Sequence, residues 1–130
     1  MSSMVNMIGW SVVLLLAQIV AQTLSLSKDC GLPYALSPRD VANPATTDVT
    51  KRLTRALMNL LETYPAFIAL ALALIATNKA TGMGLTGAVI WFWARVVYVP
   101  VYAAGIPMLR TGVWTVSVIG LLMMLMALWS

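Results

Sequence analysis

Histidine is absent from this chain of 130 residues, cysteine occurs once, and only four residues are acidic. Without histidine, neither a Ser-His nor a Cys-His nucleophilic pair can form, and histidine acid–base catalysis is excluded. The single Cys30 cannot close an intrachain disulfide, and with no histidine no metal cluster can be built around it. It reads as a bystander in a loop, and no metal is expected. Any chemistry must come from Arg, Tyr, Glu or Lys, or from a reactive substrate. Charge is scarce as well. Charged residues make up 9% of the chain and hydrophobic ones 61%, against about 25% and about 45–50% in a soluble domain. Eight basic residues against four acidic leave a net charge of +4. They are scattered between long apolar stretches instead of forming the wet basic face that nucleic acid requires, so no nucleic-acid partner is expected. The composition is that of one membrane domain, spanning 1–130.

A helix that crosses a bilayer core needs about 20 mostly apolar residues. Four such helices are expected, at about 4–26, 53–77, 85–104 and 110–128, which makes an all-α integral membrane protein, a four-helix bundle. The first run carries no charge before Lys28, unlike the basic start and short apolar core of a signal peptide. Gly82, Gly84 and Gly87 read as turn and close-packing glycines, because a phosphate loop would need a following Lys-Ser/Thr. One long loop, about 27–50, holds Pro33, Pro38 and Pro44. Four spans put both termini on one side of the membrane. Lys28, Arg39, Lys51, Arg52, Arg55 and Arg110 gather on the side of the first and third loops, and only Lys79 lies opposite. Positive residues favour the cytoplasm, so the long loop is expected there and the termini outside, as in a bacterial inner membrane. Trp10, Trp91, Trp93 and Trp129 then fall toward the outer interface and Trp114 toward the inner, an aromatic belt.

Ionisable groups inside a span are costly and face a bundle interior or cavity. In the second span Arg52, Arg55, Asn59 and Glu62 follow one another at three, four and three residues, one stripe of a helix. In the third, Arg95, Tyr98 and Tyr102 do the same. Glu62 and Arg95 each lie about ten residues, or about 15 Å, from the cytoplasmic end, and an ion pair between them is expected, within or between subunits. That pair leaves Arg52, Arg55, Asn59, Tyr98, Tyr102 and Arg110 to line the cytoplasmic half of one region. Taken singly, the arginines could anchor helix ends by snorkelling and the tyrosines could pack with wet hydroxyls. Their convergence on one depth points to a cavity for a compact anion, since guanidinium grips carboxylates in bidentate fashion.

The run Arg55-Ala-Leu-Met-Asn59-Leu-Leu-Glu62-Thr-Tyr-Pro65-Ala-Phe67 resembles the signature of the membrane-associated proteins in eicosanoid and glutathione metabolism (MAPEG). A second block is similar as well, Ala94-Arg95-Val-Val-Tyr98-Val-Pro-Val-Tyr102 followed by Gly105-Ile-Pro-Met-Leu-Arg110-Thr, and it resembles the bacterial members most. Ser37-Pro-Arg39-Asp40 in the loop is similar too. The resemblance implies a homotrimer that binds glutathione between neighbouring subunits near the cytoplasmic face. It implies that Arg52, Arg55, Asn59 and Glu62 grip the tripeptide, with Glu62 on its ammonium, and that Arg95, Tyr98 and Tyr102 line the same site. Arg110 matches the arginine that lies near the glutathione sulfur in conjugating members, the catalytic position. A cation beside a thiol raises the thiolate fraction, and a lipophilic electrophile from the bilayer could be attacked without a histidine base. The implied function is a detoxifying glutathione transferase or peroxidase, with glutathione as co-substrate. Met58 and Trp114 depart from residues of some eicosanoid-type members, which argues against a leukotriene or prostaglandin reaction. The alternative is a non-catalytic lipid- or ligand-binding scaffold of the same architecture. A small four-span multidrug exporter is remote, because its class places an unpaired glutamate in the first span, where this chain has no acid.

Overall fold

The computed structural model describes residues 3–31, 33 and 47–130. Within them stand four helices, α1 (Ser3–Cys30), α2 (Asp48–Ala76), α3 (Met83–Ala104) and α4 (Pro107–Trp129). Each is long and apolar enough to cross a membrane. Arg39, the segment Ser37-Pro38-Arg39-Asp40 and Pro44 lie outside the described residues.

The helix ends follow from local chemistry. Helix α2 starts at Asp48, five residues before the expected boundary, because Thr47 caps it by accepting from the Thr50 amide at 3.3 Å. Asp48 in its first turn complements the positive helix end. After Ala76 the chain turns through Asn78 and Gly82, both at positive φ. Helix α3 stops at Gly105, whose φ of +74° is the left-handed geometry that glycine adopts without strain. Pro107 then opens α4 at a position where its missing N–H costs nothing. Pro65 and Pro100 sit inside α2 and α3, which continue through them.

Helices α1 and α2 run antiparallel along a polar seam. Tyr64 and Ser11 hydroxyls meet at 2.8 Å, Gln22 Nε2 donates to Thr54 Oγ1 at 3.1 Å, and Ser25 bonds Thr50. At its end, Asp29 accepts from the Thr47 amide at 3.0 Å and the Thr47 hydroxyl at 2.8 Å. Helices α3 and α4 meet differently, backbone to backbone. A Cβ added to Gly87 would lie 2.5 Å from the Gly120 carbonyl oxygen, and one on Gly120 would lie 2.6 Å from that of Gly87. Small residues at such a crossing are how membrane helices associate, since lipid supplies no hydrophobic drive between them.

The core centres on Phe67, stacked on Trp91 with ring centroids 4.0 Å apart and planes 11° from parallel, and Tyr64 meets the same indole edge-on. Trp91 is therefore a core residue and not part of an aromatic belt. Positions 91 and 93 are about 200° apart on a helix, so only one of them can face lipid. That one is Trp93, exposed like Trp10 and Trp129.

Candidate anion site between α2 and α4

Between α2, the end of α3 and the first turns of α4 opens a hollow of about 410 Å³. It is lined by Arg55, Met58, Asn59 and Glu62 from α2, Tyr98 and Tyr102 from α3, and Arg110, Thr111 and Trp114 from α4. The volume falls in the range of small-molecule sites, about 300–1,000 Å³. Six of the eight residues singled out from the sequence line it directly. The other two contribute from beside it and behind it. Arg52 lines an adjoining hollow of about 160 Å³ with Arg55, Tyr102 and Arg110. Its Nη1 donates to the Ala103 carbonyl at 3.3 Å, so it ties α2 to the last turn of α3. Its guanidinium lies over Gly105, where a Cβ would come within 2.8 Å of Cζ.

Arg95 is 1% exposed and sits beneath the floor of the hollow. Its Nη1 donates to Asn59 Oδ1 at 2.8 Å, and its guanidinium lies 4.3 Å from the centre of the Tyr98 ring. The expected ion pair with Glu62 does not form within a subunit, and Asn59 takes the partner's place. Positions 59 and 62 are about 60° apart around the helix, which leaves Asn59 in the seam and turns Glu62, an exposed residue, to the rim. The tyrosines continue the chain of contacts. Their rings are 5.5 Å apart, and the Arg110 guanidinium lies 4.9 Å from the Tyr102 centroid. Such cation–π contact orients a guanidinium while leaving its N–H groups free for a ligand.

The hollow thus presents two guanidinium groups against one carboxylate, with two phenols, an amide and a hydroxyl. Arg110 stands in the first turn of α4, so the positive end of that helix adds to its charge. The set suits an anion with more than one carboxylate and a single cationic group for Glu62. No group of three or more His, Cys, Asp or Glu comes together among the described residues. The sequence reading had not placed Thr111 and Trp114 in the site. Trp114 was detectable, because it lies four residues after Arg110 and so shares its helix face.

Comparison with known proteins agrees with this architecture. The model of the MAPEG family matches residues 4–129. No curated protein and no solved structure matches the chain.

Proposed function

This chain belongs to the MAPEG family and is an integral multi-pass membrane protein, and from that we propose that its hollow binds glutathione for transfer to, or peroxidase reduction of, lipophilic substrates. The observation that carries the reading is the lining itself, Arg55, Asn59, Glu62, Tyr98, Tyr102 and Arg110 around one space. Glutathione carries two carboxylates, one ammonium and a thiol. Arg55 and the tyrosine hydroxyls serve the carboxylates, and Glu62 meets the ammonium. Arg110 stands beside the sulfur, where its charge favours the thiolate over the thiol. In transfer the thiolate forms a bond to an electrophilic carbon as the leaving group departs with its electron pair. The protein supplies orientation and charge, and no histidine is required.

The hollow opens on the surface of a single subunit, where Met58 and Glu62 are exposed. A neighbouring subunit of a homotrimer would cover it, and a native mass of three chains in detergent is the expected accompaniment. The cytoplasmic face of a bacterial inner membrane, with both termini outside, is the orientation that gives the site its supply of glutathione.

The test is glutathione binding, then conjugation to an aryl halide, by detergent-purified protein. Binding at millimolar glutathione and release of halide are expected. Arg110→Ala should keep most of the binding and lower turnover by about 100-fold, with the pH–rate midpoint moved upward because thiolate then forms only at higher pH. No binding in the wild type would refute the reading. Binding without turnover would instead identify a non-catalytic member of the same architecture.

A further inference from the structure

The buried side-chain nitrogens and oxygens left without a hydrogen-bond partner among the described residues come from three residues. They are Gln18 Oε1, Trp91 Nε1, and Arg95 Nε and Nη2. An unpaired buried polar atom is costly, and such atoms are as a rule satisfied by protein or by trapped water. Gln18 is 6% exposed and Arg95 1%, so these atoms face the interior of the subunit. A partner from within the subunit, protein or trapped water, is therefore sought first.

The helix pairings place Gln18 and Arg95 at one level. Ser11 faces Tyr64 and Gln22 faces Thr54, so α1 and α2 advance in step in opposite directions. Gln18, seven residues beyond Ser11 and four before Gln22, comes level with positions 57 and 58 of α2, within about 3 Å of Asn59 along the axis. Asn59 is the residue that Arg95 grips. Helices α1 and α3 both run antiparallel to α2, hence parallel to each other, and helix side chains lean toward the N-terminus. Gln18 and Arg95 therefore lean the same way. The donor and acceptor count also fits. One water can accept from Arg95 and donate to Gln18 Oε1, a site of about three hydrogen bonds that is typical of buried water.

We propose that a trapped water lies between α1 and α3, accepting from the free nitrogens of Arg95 and donating to Gln18 Oε1, and that Gln18 is thereby a positioning residue for the arginine behind the hollow. The water is a statement about the fold. The positioning role rests on the glutathione reading above. Asn59 fixes one edge of the guanidinium and the hydrated Gln18 the other, so that Arg95 holds Asn59 and Tyr98 in the orientation the ligand meets.

The experiment is NMR of the Arg95 Nε–H in detergent micelles, assigned by its loss in Arg95→Lys, with glutathione titrations alongside. The wild type should show a cross-peak from this Nε–H to long-lived water. Gln18→Leu should shift the resonance and lose that cross-peak, while Gln18→Glu, which keeps an acceptor, should retain it. Gln18→Leu should also weaken glutathione binding about three- to tenfold with kcat unchanged, and Gln18→Glu should restore it. No water cross-peak in the wild type overturns the proposal even if Gln18→Leu fails to fold, as does an unchanged resonance in Gln18→Leu. A lost cross-peak with unchanged affinity overturns the positioning role. A wild type that shows the cross-peak and binds no glutathione upholds the water and refutes only the ligand.

Discussion

Helix α3 has two unlike seams. Against α4 it presents Gly84 and Gly87, and the backbones approach so closely that no Cβ fits between Gly87 and Gly120. Against α2 it presents long polar side chains, where Arg95 reaches Asn59 and Arg52 reaches back to the Ala103 carbonyl. The dry seam is fixed by backbone shape and has no room to vary. Toward one end of the α2 seam Trp91 stacks on Phe67, and toward the other these polar side chains bridge the helices beside the hollow. One helix is thus rigid on one side and hospitable on the other. Stability should follow the glycine seam and ligand binding the arginine seam.

The sharpest way to break this division is Gly87→Leu. The new side chain meets the Gly120 carbonyl and the Met123 and Met124 side chains, with no flexible neighbour able to clear the backbone oxygen. A loss of about 3 kcal/mol is expected, at the upper end for overpacking, read as thermal or denaturant unfolding in detergent. An unchanged midpoint would mean that the seam can open and that the frame lies elsewhere.

A smaller and opposite effect is expected from Arg95→Met, which keeps length and removes charge. The guanidinium is buried without a carboxylate partner among the described residues, and replacing an ill-compensated buried charge by a packed apolar group is often neutral or stabilising. The unfolding midpoint should hold or rise. Glutathione affinity should fall about tenfold, about 1.4 kcal/mol, as Asn59 and Tyr98 lose the group that orients them. Unfolding comparable to that of Gly87→Leu would show that the polar seam is structural after all.

Much of this contrast could be read in the sequence, and its limits have physical causes. The four spans were legible because helix length and apolar composition are set by the bilayer itself. Their ends shifted by a few residues where a cap decided, as at Thr47. The stripe Arg55, Asn59 and Glu62 was legible because helical spacing fixes which residues share a face. Spacing does not fix which member of a stripe points into the seam. A turn of about 60° gave Arg95 to Asn59 and sent Glu62 to the rim. Trp91 shows the same limit, since its type suits an interface as well as a core and only Phe67 opposite it decides. The pairing of Gly87 with Gly120 depends on α4, which no local pattern in α3 reveals.

The smallest effect tests whether glycine as such, or its place in the seam, makes the frame. Gly112 lies in α4 two residues after Arg110, and a Cβ added there meets nothing within 4 Å. A helical glycine in open surroundings gives up backbone freedom without any close approach in return. Gly112→Ala should therefore raise the unfolding midpoint by the equivalent of up to about 1 kcal/mol and leave glutathione affinity as it was, despite its nearness to the hollow. A fall in stability would show that something packs against this face of α4 as tightly as α3 packs on Gly120. This face of α4 would then join the α3–α4 contact and Gly105 as a place where the bundle depends on the absence of a side chain.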